Sequence, residues 1–204
     1  MSGRKLSLYL IIGLTLLSCS ASRPAPSGYG DPSARMFNSG FSVVPPQEKG
    51  WLIMDRDAYR LVLVKQGANR DESYAAVASL VLLPADLDNR EIFFEHIRKA
   101  RSKALESEGF RVLSNRDFLF DEKGEYCVRY RSETEEMNGS KDAGAEAPLI
   151  HETIGFYCRH PDETNVAVNA EYAYRHRVVD ADPELETKAD RFLKAVNFES
   201  LTAY

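Results

Sequence analysis

From residue 41 onward the apolar positions fall into short runs of period two, and two stretches repeat at three and four instead. Period two puts alternate side chains on one face of a strand; the longer period lines one face of a helix. The strand-type runs are Phe41–Val44, Trp51–Met54, Tyr59–Lys65, Ser73–Leu83, Phe110–Leu113, Phe118–Phe120, Tyr126–Glu133, Leu149–Arg159 and Asn165–Arg177. Pro45-Pro46 stops the first by removing ladder donors. Asp55-Arg56-Asp57, Gly67-Ala68-Asn69, Asp121–Gly124 and His160–Thr164 read as turns. In Ser73–Leu83, Ala76, Ala78, Leu80 and Leu82 share one face, with Val77, Val81 and Leu83 on the other. Two apolar faces predict a central strand covered on both sides.

The first helix-type stretch begins near Asp88 and carries Ile92, Phe93, Ile97, Ala100, Ala104 and Leu105 on one stripe, with Gly109 as its stop. Its cations Arg98, Lys99, Arg101 and Lys103 read as a solvated face, with an anionic docking patch as the alternative. The second is the better signalled. Asp182 can cap it, Pro183 fits its first turn, and Glu184 and Glu186 suit its N-terminal dipole. Leu185, Ala189, Phe192, Leu193 and Val196 form its buried stripe. Between the strand runs, Thr134–Pro148 is acidic and holds no apolar residue larger than Met137. A loop this long inside a compact domain is either mobile or functional.

The chain has 204 residues with 26 basic and 31 acidic side chains, a net charge of −5. That balance gives no electrostatic reason to seek nucleic acid or anionic lipid. The N-terminus changes the picture. Arg4 and Lys5 precede an apolar run from Leu6 to Leu17, too short to span a bilayer, and the small Ser18 follows. This is the pattern of a secretory signal peptide. Leu16-Leu17-Ser18-Cys19 moreover resembles the lipobox of bacterial lipoproteins. The resemblance implies cleavage after residue 18, acyl chains such as palmitate on Cys19, and a mature chain of net charge −7 once Arg4 and Lys5 are gone. Ser20 resembles the outer-membrane sorting class, which places the protein on the periplasmic face if the cell has two membranes. Residues 19–39 are rich in Ser, Pro, Gly and Ala and read as a flexible tether. A tether of that length reaches roughly 25 Å. Residues 40–204 are then one folded domain.

With Cys19 committed to lipid, Cys127 and Cys158 remain, and an even pair in an oxidising compartment reads as a disulfide. If the strands around them pair as a hairpin, residue 127 lies opposite 158 and residue 129 opposite 156. The alternative is zinc held by the two cysteines, His160 and either His151 or His176. The disulfide asks for less. His151-Glu152 opens like a zinc-protease motif, but Gly155 stands where the second histidine belongs, and the segment is strand-like. No nucleophile elbow or phosphate-cradling loop is present, and no cofactor is implied.

Arg129, Arg131, Glu133, Glu152, Glu171 and Arg175 fall within three successive strands. They read either as cross-strand charge pairs on the wetter sheet face or as a pocket whose arginines receive an anion. Recognition is usually carried by loops on a rigid scaffold. Glu135, Glu136, Asp142 and Glu146 are therefore the contact candidates for a partner, with Arg129, Arg131 and Arg175 on the sheet beside them.

Gly40-Phe41-Ser42-Val43, the prolines and the Trp51 strand at the start, with Phe192-Leu193 and Val196-Asn197-Phe198 at the end, resemble the PsbP-like sandwich. The resemblance implies an α+β fold, a largely antiparallel sheet packed by two main helices, and a binding or assembly role. It supplies no active-site residues. The reading is a membrane-anchored envelope lipoprotein with a non-catalytic protein- or ligand-binding or assembly role, its partner an envelope protein. An envelope hydrolase using histidine and acidic groups is the alternative.

Overall fold

A computed structural model describes residues 34–106, 109–137 and 148–201. Cys19 and most of the tether, and the loop acids Asp142 and Glu146, lie outside the described residues. The protein is α+β. In chain order the elements are β1 (Met36–Asn38), β2 (Phe41–Val43), β3 (Leu52–Arg56), β4 (Arg60–Gln66), β5 (Ser73–Leu82), α1 (Arg90–Leu105), β6 (Phe110–Leu119), β7 (Cys127–Glu136), β8 (Leu149–Arg159), β9 (Val166–Arg177), α2 (Leu185–Lys194) and β10 (Asn197–Phe198). Seven strands form one sheet in the order β3-β4-β5-β9-β8-β7-β6, and β1-β2-β10 form a small second sheet. All the pairings are antiparallel.

The two helices lie on opposite faces of the large sheet. Because strand side chains alternate, Cys127, Phe156, Cys158, Val168, Ala170 and Tyr172 point to one face. There they pack with Leu185, Ala189, Phe192 and Leu193 of α2 and with Phe41 and Val43 of the small sheet. Val128 and Ala167 point the other way, where Phe93 and Ile97 of α1 meet them together with Leu83 and Leu87. His160 fastens the small sheet to the large one. Its Nε2 donates to the carbonyls of Gly40 (3.0 Å) and Glu199 (2.9 Å), and its Nδ1 accepts from the amide of Asp162 at 3.1 Å.

Five local expectations change. The folded domain reaches back at least to β1, within the stretch read as tether, because Met36–Asn38 pairs with β2. The turn read at Asp55-Arg56-Asp57 starts later, since Asp55 and Arg56 still pair with β4 beyond a bulge. Phe110–Leu113 and Phe118–Phe120 are parts of one strand, continuous through polar Ser114–Asp117 and bulged between Val112 and Ser114. β7 runs on to Glu136, so Thr134, Glu135 and Glu136 are paired strand residues and not loop. In α1, Ile92, Ala100 and Ala104 are exposed, and Arg101 takes the inward position.

Asn89, one residue past the expected start, caps α1, its side chain accepting from the amides of Glu91 and Ile92. Asp182 accepts from the amide of Glu184 at 2.9 Å, while the helix proper starts at Leu185.

Gly155 is required by a close approach. A Cβ there would lie 2.5 Å from the Tyr130 ring and hydroxyl and 2.6 Å from the Ala170 carbonyl. The β7–β8–β9 backbone cannot yield easily, so Gly155→Ala is expected to cost about 1–3 kcal/mol through overpacking. The check is its denaturant midpoint against wild type; an unchanged midpoint would show that Tyr130 moves aside freely.

Candidate functional site

The face carrying α1 is covered at one side only. α1 packs over β6 and β7, and among the described residues no helix lies over β4, β5 and the adjoining part of β9. The two faces of those strands differ accordingly. On the α2 side Leu61, Leu63, Ala76, Ala78, Tyr172 and Tyr174 are at most 2% exposed. On the other side Val62, Val64, Ala75, Val77 and Ala173 are each only partly buried. The expectation that Ser73–Leu83 is covered on both faces is thus met on the α2 side at Ala76 and Ala78 and on the other side at Leu83, while Leu82 at the end of the α2 side is 83% exposed. This bare surface is apolar, made of small side chains and flanked by Glu171 and Arg175 on β9, which pair across to Val77 and Ser73.

At the end of this face nearest the segment between β7 and β8, a charged group is assembled. Glu136 accepts from His151 Nε2 at 3.2 Å and from Arg175 Nε and Nη2 at 3.2 and 3.1 Å. Arg175 Nη1 also donates to the Asp71 carbonyl at 3.0 Å, and Phe110 meets the His151 ring edge-on. Two expected site residues, Glu136 and Arg175, therefore come together here. Burial pushes the His151 pKa below its ordinary value, against the pull of Glu136. Burial opposes the charge of Glu136 too, but the bonds from His151 and Arg175 outweigh it and hold its pKa below the usual carboxylate value.

Both shifts make acid destabilising. Below pH 6.5 the unfolded chain protonates the position-151 imidazole while the folded chain resists, so stability rises with pH through that window and falls on acidification. The contribution of Glu136 is present above pH 4.5 and is lost as pH falls through its lowered value. His151→Gln is expected to lose less melting temperature than wild type between neutral pH and the region just below 6.5. Parallel pH profiles would contradict this.

The remaining expected residues go elsewhere. Arg129 and Arg131 lie on the α2 face, where Arg129 pairs with Asp190 of α2 and Arg131 bonds Glu152 at 2.9 Å and approaches Glu186 at 3.6 Å. Glu152 also accepts from the buried His176 at 3.2 Å. Glu135 pairs with Arg111 across the β6–β7 ladder. The six charges therefore do not share a face, and the arginines named for an anion pocket are matched by carboxylates of this chain. Cys127 and Cys158 lie directly opposite each other in the ladder with sulfurs at 2.11 Å, a bonded pair. With the thiols joined and both His160 nitrogens used by backbone groups, three of the four ligands of that zinc arrangement are taken.

One polar group is absent from the sequence reading. Arg101 of α1 points down onto β6 and β7, pairs with Asp117, donates to Asn115 Oδ1 at 3.2 Å, and stacks 3.6 Å over the Tyr130 ring. Tyr130 donates to Glu171 at 2.8 Å and bonds Asn169 at 3.1 Å. Burial, with Glu171 alongside, pushes the Tyr130 pKa well up, and burial pushes that of Arg101 down. Arg101 stands four residues after Ile97 and eight after Phe93, and that spacing was the available signal. A groove of about 820 Å³ runs along the solvent side of α1 against Pro84–Leu87, with His96, Glu91 and Glu95 on its wall. His96 has no ion pair or hydrogen bond to either acid among the described residues.

No protein-family model and no curated protein matches this chain. Among the described residues no helix is long and apolar enough to cross a membrane.

Proposed function

We propose that the chain is a lipoprotein held through acylated Cys19 at the periplasmic face of the outer membrane, and that its folded part is a non-catalytic binding domain for an envelope protein. The docking surface is the bare half of the sheet, Val62, Val64, Ala75, Val77 and Ala173, together with the Glu136–His151–Arg175 end. The observation that carries this reading is the one-sided cover. On the α2 side the middle of these strands is buried, whereas on the other side Val62, Val64, Ala75, Val77 and Ala173 form a contiguous, partly accessible apolar surface, and contiguous apolar area open to solvent marks interaction sites. The PsbP-like resemblance supports a binding role. Asp142 and Glu146, in the segment 138–147 that connects β7 to β8, stay contact candidates. The lipobox supplies the anchor, since several acyl chains together hold a protein at a membrane firmly.

The test is made on full-length protein expressed in a Gram-negative cell and extracted from its membranes. Its intact mass should show loss of residues 1–18 plus acyl chains, and Cys19→Ala should abolish both. An unprocessed chain in the membrane would end the lipoprotein reading. Turnover of an envelope substrate, lost on one histidine or carboxylate substitution, would replace the binder with the hydrolase.

A further inference from the structure

Exposed large apolar side chains gather on one edge of the sheet. β6 is ten residues long, and its Phe110, Val112, Leu113, Phe118 and Leu119 are 38% to 48% exposed. The opposite edge differs. β3 has five residues, ends in Asp55-Arg56, and is tied to β1 by the Arg56 bond to the Phe37 carbonyl at 3.1 Å. Short, charged and tied down is how a sheet edge is protected; long and apolar is how one is used.

The main chain of β6 has groups to offer. Phe120 donates to the Cys127 carbonyl at 3.0 Å. By antiparallel alternation Ser114, Arg116 and Phe118 turn their amides and carbonyls toward β7, and those of Asn115, Asp117 and Leu119 point outward.

We propose that β6 pairs with β6 of a second copy of this chain, antiparallel about a two-fold axis through Asn115. The strand's own pattern selects that occupant. Its apolar residues sit at the two ends and its polar residues in the middle, and an antiparallel two-fold brings opposite ends together. With the bulge residue Leu113 skipped on both strands, Phe110 faces the second copy's Leu119, Arg111 faces its Phe118, and Asn115 faces Asn115. Every facing pair has its side chains on the same side of the sheet, as pairing demands. No two like charges are opposed; Asp117, whose charge is already matched by Arg101, meets Val112. The contact is isologous and closes at two. It joins the sheets into one and sets both bare faces on the same side.

Two variants of the full-length chain in detergent, each adding one cysteine, test this, Phe110→Cys and Leu119→Cys, oxidised separately and as a mixture. The mixture is expected to give a disulfide-linked dimer whose linked peptides carry residues 110 and 119, and neither variant alone is expected to give it. Light scattering of the wild type should show a dimer that dissociates on dilution, and Phe118→Lys should be monomeric throughout and melt with the wild type at dilutions where the wild type is itself monomeric. Linkage that is as strong in either variant alone, or a wild type that is monomeric at all concentrations, would overturn the proposal; the second result would also be that of an edge kept for a different protein.

Discussion

Arg101→Ala lowers the stability of this domain by about 3–5 kcal/mol, the range for stripping one partner from a buried ion pair. In a chain of this size each kcal/mol moves the melting temperature by about 2–4 °C, so a drop of about 6–20 °C is expected. The pair is well inside the protein: the Arg101 and Asp117 side chains are 7% and 4% exposed. Truncating Arg101 leaves the Asp117 carboxylate without its counter-charge and removes the stack on Tyr130. The same principle predicts the opposite for the pair taken out together. Arg101→Met with Asp117→Leu fills the space without a charge and is expected to fall near wild type or above it. Thermal melts of the single and the double variant decide the matter. A single variant within 2 °C of wild type would mean that water reaches Asp117 on truncation.

Cys127→Ala with Cys158→Ala is expected to lose about 3–4 kcal/mol, the chain-entropy value for a loop of this size. The two cysteines are separated by 31 residues, and that loop includes the segment between β7 and β8. The bond thus closes the one hairpin whose connection is long, while the β8–β9 hairpin has a short turn and no such need. Wild type under reductant should melt with the double variant. Alkylation of both thiols in the oxidised, denatured protein would show that the bond does not form.

Much of the hairpin and its bond was legible in the sequence. The β7–β8 register follows from setting 127 opposite 158, and it holds without a bulge to Glu136 and Leu149. The closing helix was legible because its apolar stripe is unbroken. What failed has identifiable physical causes. Arg101 reads as solvent-facing by type, and only its buried acid partner, sixteen residues on across a turn, reverses that. β6 reads as two strands because its middle is polar; a strand lying under a charged helix residue needs polar groups there, and Asn115 and Asp117 supply them.

The arginine cluster fails by register. The β7–β8 ladder pairs odd-numbered with even-numbered residues, whereas the β8–β9 ladder pairs like with like. Arg129 and Arg131 therefore face away from Glu171 and Arg175. Neither parity can be read from one strand alone. The bare face escaped notice for a related reason. Val77 and Val81 look like core residues, and that no helix among the described residues covers them is a property of topology, not of the strand.

The proposed role rests on the bare face of β4 and β5 meeting an envelope protein. The most direct measurement is site-specific photocrosslinking in intact cells, with the photoreactive residue at Val77 on that face or at Thr187 on the solvent side of α2. A defined adduct with one envelope protein is expected from position 77, lost when Val64 is changed to Glu, and none from position 187. No adduct at 77, or equal adducts from both positions, would contradict it.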